Sequence, residues 1–108
     1  MSEDKFAIFV NEAEHRARLQ VTCGWLDSPD YLDFRSECYR LLETEKPNLF
    51  VDLRELDSIG SMFLGSLVET SIRAREGGQH LVVQAGANIA GLLRTFSAEM
   101  VDVEDSEE

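Results

Sequence analysis

Leu49-Phe50-Val51-Asp52-Leu53, the turn Arg54-Glu55-Leu56-Asp57-Ser58-Ile59-Gly60, the run Ser61-Met62-Phe63-Leu64-Gly65-Ser66-Leu67, and the exit Gly77-Gly78-Gln79-His80-Leu81-Val82-Val83 together decide the fold. The nearly continuous apolar run 49–53 reads as a short strand covered on both faces. Helical spacing then places Leu64, Leu67, Val68, Ser71 and Ile72 inward. The same spacing turns Met62, Ser66, Glu69, Thr70 and Arg73 largely outward. Gly77-Gly78 supplies the helix stop, and 81–83 reads as the next buried strand. This is a complete βαβ unit, whose two strands must lie parallel.

Working outward, Phe6, Ile8 and Val10 alternate, as do Ala17, Leu19 and Val21, with Arg16, Arg18 and Gln20 facing the other way. Asn11-Glu12-Ala13-Glu14 joins them, so a hairpin is the simplest reading. After Gly24-Trp25-Leu26-Asp27, Ser28 suits an N-cap, Pro29 the first helical position and Asp30 the positive end of the helix. Tyr31, Phe34, Cys38, Leu41 and Leu42 form one apolar stripe. Ile89, Leu92, Leu93 and Phe96 form another, and residues 100–103 add a last edge strand whose open side could pair weakly between copies. The order is ββαβαβα(β): an α/β domain with a mixed four- to five-stranded sheet and helices packed on it. The reading assigns 1–103 to this domain and 104–108 to an acidic, disordered tail.

The chain has 108 residues and a formal charge of −11, with 44 % hydrophobic residues. A surface so acidic is a poor match for nucleic acid, which needs clustered Lys and Arg. No apolar run reaches the ~18–20 residues of a membrane span, and the acidic Met1-Ser2-Glu3-Asp4 start does not read as a cleavable signal. A cytoplasmic location is therefore expected, with Cys23 and Cys38 as reduced core thiols. His15 and His80 have no metal-ligand neighbours in sequence, no nucleophile–base order can be argued, and no glycine pattern opens a helix as a phosphate loop does. No cofactor, metal or active site is expected.

Several local motifs resemble the STAS family, the domain of anti-sigma-factor antagonists. Gly24-x-Leu26-Asp27 is similar to the family's turn before its first helix, and Val51-Asp52-Leu53 to its central strand. Leu64-Gly65-x-Leu67 resembles the start of its second helix; Arg75-Glu76-Gly77-Gly78 followed by Leu81-Val82-Val83 resembles its helix stop and next strand. The family's signature turn reads roughly Asp-Ser-Ser-Gly-Leu-Gly, with the second Ser or Thr as phosphoacceptor. Matching Asp57-Ser58-Ile59-Gly60 to it keeps the letters but inserts three residues before the next strand, rotating the helix's apolar face by about 300° at ~3.6 residues per turn. The ungapped register places Gly60 at the family's Asp, Ser61 at its first Ser, Met62 at the phosphoacceptor and Phe63 at its Gly. A thioether cannot be phosphorylated, so the usual switch should be absent.

The resemblance implies a STAS-domain binding module rather than an enzyme. It would serve a bacterial partner-switching pathway, docking an anti-sigma factor or switch-type serine kinase. The candidate surface comprises Ser58, Ile59, Gly60, Ser61, Met62, Phe63, Ser66, Glu69, Thr70 and Arg73. Ser61 is either a helix cap or a displaced phosphosite. Phe63 either joins Met62 in an exposed apolar patch or folds back as packing. Asp52 is expected half-buried, accepting backbone amides of the turn; Gly65 is expected at a close packing contact, and Trp25 either exposed or anchored over the sheet edge. The alternative function is an accessory subunit of an ABC-type membrane transporter, which would need no phosphorylation.

Overall fold

The computed structural model describes residues 5–97 and 100–105. Its elements run β1 (Phe6–Asn11), β2 (Arg16–Val21), a single 3-10 turn (Ser28–Asp30), α1 (Tyr31–Glu43), β3 (Asn48–Asp52), α2 (Ser61–Glu76), β4 (His80–Ala85), α3 (Ala87–Ser97) and β5 (Asp102–Asp105). The sheet is ordered β1-β2-β3-β4-β5, with β1 antiparallel to β2 and every later neighbour parallel. This is the α/β architecture and element order expected, with the fifth strand present.

The topology fixes where the helices go. Three successive crossovers all step the same way across the sheet, and right-handed connections then put all three helices on one face. Ala17, Leu19, Val21, Leu49, Val51, Leu81 and Val83 on that face are fully buried with Phe34, Cys38 and Leu41 of α1. The opposite face has no helix among the described residues. The expectation that 49–53 is covered on both sides therefore fails: Phe50 is only half-buried, and polar side chains cover much of the rest of that face. Arg18 reaches Asp52 at 3.7 Å, Gln84 donates to Glu104 at 2.8 Å, and His80 lies 2.6 Å from Asp102.

Three boundaries move. The first cap is Asp27 rather than Ser28: Asp30 accepts from the Asp27 backbone N–H at 2.8 Å, and the Asp30 N–H returns to the Asp27 carbonyl at 2.8 Å. Lys5 seals this turn through an ion pair with Asp30 at 2.9 Å. The last strand begins at Asp102 and includes Glu104 and Asp105, so the proposed domain limit at 103 falls inside β5; of the expected tail, 106–108 lie outside the described residues. On α3, Ile89 and Leu93 point inward as expected, but Leu92 and Phe96 are exposed, because Ala90 and Ser97 complete the buried stripe instead.

Candidate functional site

The β3–α2 connection is anchored before it reaches the helix. Leu56 is buried in the core, the Leu53 N–H donates to the Gln84 carbonyl at 2.7 Å, and the Asp57 N–H donates to the Gly24 carbonyl at 2.8 Å. The last bond holds the turn after β2 beside the turn after β3, at the carboxyl end of the parallel strands, where open α/β sheets form their sites. Gly60 is the N-cap of α2, extended at φ −83°, and its carbonyl accepts from both Phe63 and Leu64 at 3.1 Å. Ser61 is thus the first helical residue and no cap: its side chain is exposed and makes no capping bond. Met62 beside it is 52 % exposed.

Three of the candidate contact residues are buried. Phe63 is 4 % exposed, packed edge-on against Tyr31 and Phe34 with ring centroids 5.7 and 5.4 Å away. Ser66 and Thr70 are 2 % and 1 % exposed. They sit against α1 because α2 is buried along two stripes: Leu64, Leu67, Ser71 and Ala74 form one, and Phe63, Ser66 and Thr70 the other. Small side chains let the two helices approach, and Thr70 spends its hydroxyl on the Ser66 carbonyl at 2.7 Å, a helical back-bond that water need not supply. Cys38 lies in this seam. Burial pushes its thiol up to about 12, against a smaller downward pull from the Thr70 and Ser66 hydroxyls.

What α2 leaves to solvent is a narrow strip. Met62 stands at its head, and a shallow groove of about 450 Å³ runs below it, lined by Gly65, Val68, Glu69, Ile72, Arg73 and Glu76. An ideal Cβ at Gly65 would meet no atom within 4 Å. Its side is open space, not the close contact expected from the sequence. Glu69 is fixed from three directions: the Tyr39 hydroxyl donates at 3.1 Å, Arg73 at 3.4 Å, and Arg35 sits 3.7 Å away. Desolvation opposes its charge most strongly, yet Tyr39, Arg35 and Arg73 together outweigh that and hold its carboxyl below the usual range. Both guanidiniums also lie over the Tyr39 ring, at 5.1 and 5.3 Å. The rim of the groove is therefore ordered in advance, which lowers the entropy cost of binding there. Ser58 is exposed and Ile59 half-buried in the approach to it. Sequence reading missed Val68, Ile72 and Tyr39 as members, and took Gly65 for packing.

Asp52 is buried rather than half-buried, at 3 % exposure. As expected it accepts a turn amide, that of Arg54, at 3.0 Å; Arg54 also binds it through Nε at 2.9 Å and Nη2 at 2.7 Å. Desolvation is the largest single influence, but the Arg54 and Arg18 contacts outweigh it and keep the carboxyl below its ordinary value. Both oxygens are engaged, so this group is placed to brace the loop. Trp25 is exposed, at 63 %, on the neighbouring turn. Among the described residues no group of three or more His, Cys, Asp or Glu could hold a metal ion, and no helix is long and apolar enough to cross a membrane.

No protein-family model matches the chain. No curated protein matches it either. Among solved structures it is similar to the NMR structure of the protein TM1081, with a TM-score of 0.76 at 16 % identity, covering 97 % of this chain and 84 % of that one. It also resembles part of the crystal structure of Mglu, with a TM-score of 0.56 at 19 % identity, over 69 % of this chain and 18 % of that one. At these identities the likeness is one of fold.

Proposed function

We propose that the chain is a non-enzymatic, STAS-type binding module of a bacterial partner-switching pathway. It docks an anti-sigma factor or switch-type serine kinase through Met62 and the exposed strip of α2. The observation that carries this reading is the strip itself: an adaptable exposed thioether, a stretch of bare backbone at Gly65, and a charged rim of Glu69 and Arg73 already held in place. Bare helix backbone admits a partner's side chain closely, and a fixed charge pair orients it. Phe63, Ser66 and Thr70 leave the proposed contact set, and Gly65, Val68 and Ile72 enter it. With Met62 at the acceptor-equivalent position the binding is constitutive, governed by partner abundance.

The test is affinity capture of the tagged protein from its own cells, followed by titration of the recovered partner against variants. A kinase or anti-sigma factor should be recovered, and Gly65→Arg and Met62→Asp should each weaken its binding by about tenfold or more, the scale of a central contact. Unchanged affinity in both variants would remove the strip from the interface. Recovery of a transporter ATPase or permease in its place would replace this function with the accessory-subunit role.

A further inference from the structure

The two edges of the sheet are chemically opposite. β5 reads Asp-Val-Glu-Asp, and its acids guard that edge against another strand, which argues against the copy-to-copy pairing expected there. β1 reads Phe-Ala-Ile-Phe-Val-Asn, without a charge, a proline or a glycine, in a chain of net charge −11. It pairs with β2 alone among the described residues. Phe9 is 56 % exposed and Val10 beside it is also exposed. Natural edges are usually blunted by charge, proline or a bulge, and β1 carries none of the first two.

The backbone groups on this edge can be assigned. The Thr22 N–H donates to the Lys5 carbonyl at 2.9 Å, and the register continues as Phe6↔Val21, Ala7↔Gln20 and Ile8↔Leu19. Hydrogen-bonded and non-bonded pairs alternate in an antiparallel ladder. Lys5, Ala7, Phe9 and Asn11 therefore turn their N–H and C=O groups toward β2. Phe6, Ile8 and Val10 turn theirs outward.

We propose that β1 recognises a second copy of this chain, pairing antiparallel with its counterpart about a two-fold axis at Ile8. In that register Ile8 faces the partner's Ile8 and Phe6 faces the partner's Val10. All three outward residues then enter bonded pairs, each exchanging two N–H···O=C bonds; sliding by two residues either way leaves one of them unpaired. On the helix side every facing pair is apolar. On the open side the large, exposed Phe9 falls opposite the partner's Ala7, which leaves room for the ring. Lys5 falls opposite the partner's Asn11, one residue from its acidic turn. Within Lys5–Asn11 no acid faces an acid across the axis. A strand edge buries less than the ~1,200 Å² of a stable interface, so the association is weak. Repulsion between two −11 protomers makes it stronger, not weaker, as salt rises.

Sedimentation equilibrium from about 10 μM to about 1 mM, in about 0.05 M and about 0.5 M salt, tests this directly. The mass should climb from the 12.2 kDa monomer toward twice that value, at lower concentration in the higher salt. Val10→Pro deletes an outward donor that the monomer does not use, so it should weaken association at least about tenfold while leaving the melting temperature nearly unchanged. In a Cys23→Ser background, Ile8→Cys should cross-link on mild oxidation. Val10→Cys should not, because its two copies lie about 14 Å apart in this register. A monomer at every concentration in high salt, a dimer indifferent to Val10→Pro, or cross-linking at Val10 as fast as at Ile8 would each overturn the proposal.

Discussion

Replacing Gly65 by Ala separates the needs of the fold from those of the surface. The residue lies inside α2 (Ser61–Glu76), its backbone is not in the left-handed region, and a Cβ there meets no atom within 4 Å. The folded state loses nothing by the added methyl, and the unfolded chain loses backbone freedom. Glycine costs a helix interior about 1 kcal/mol relative to Ala. Gly65→Ala should therefore raise stability by about 1 kcal/mol, and the melting temperature by about 4–6 °C for a domain of this size. Gly91 supplies the control: it too is exposed, inside α3 (Ala87–Ser97), with nothing near its missing side chain. Gly91→Ala should add a similar increment. Urea denaturation of the two single variants and the double variant measures both terms, which should add because the sites share no contacts. If Gly91→Ala stabilises and Gly65→Ala does not, the backbone at 65 is not relaxed helix, and the inference that its bareness serves a surface loses its footing. If both stabilise, only Gly65→Ala should weaken the partner complex.

Further outcomes follow from the same geometry. Phe63→Ala empties the ring cluster with Tyr31 and Phe34 and should cost about 3–5 kcal/mol in denaturant unfolding, whereas Met62→Ala next to it should cost under about 0.5 kcal/mol. Asp52 has a folded pKa below its unfolded one, so its contribution is complete above about pH 4 and is lost as pH falls through the folded value; Asp52→Asn should flatten that acid limb. At neutral pH the same variant should cost about 1–2 kcal/mol, discounted because Arg54 and Arg18 are 44 % and 34 % exposed. Cys38 runs the other way: its folded pKa is raised to about 12, so its contribution is complete below the unfolded value near 8.5 and is lost as pH climbs toward the folded one. Cys38→Ala should remove that alkaline loss, and a thiol reagent at pH 8 should label half-exposed Cys23 well before buried Cys38.

The order of strands and helices was legible because period-two and period-3.6 patterns alternate along the chain and glycines or polar turns mark each change. The burial of α2 was legible by half. Leu64 and Leu67 announce one stripe by their hydrophobicity, but Ser66 and Thr70 carry no such signal. Only the presence of α1 at that side makes small polar residues the right ones to bury. The run 49–53 misled in the opposite sense. Its apolar letters suggest cover on both faces, yet Phe50 faces a side of the sheet that no helix among the described residues reaches, and Asp52 on that side is shielded by Arg18 and Arg54. Long basic side chains can roof an acid without an element being there.

One topological fact underlies these departures. Because β2, β3, β4 and β5 follow one another across the sheet in chain order, their crossovers share a hand and their helices share a face. The middle helix, α2, is then flanked by α1 and α3 as well as floored by the sheet. Between its two ends it offers the solvent only the strip through Met62, Gly65, Glu69 and Arg73. A partner that reads α2 must fit that narrow line, which gives a residue without a side chain more weight there than on a broad surface. Among the described residues the same arrangement leaves the sheet two unpaired edges, and sequence distinguishes them: acids on β5, none on β1. The recognition surfaces proposed here are thus the remainders of one packing rule, the strip its helices cannot cover and the edge its strands cannot close.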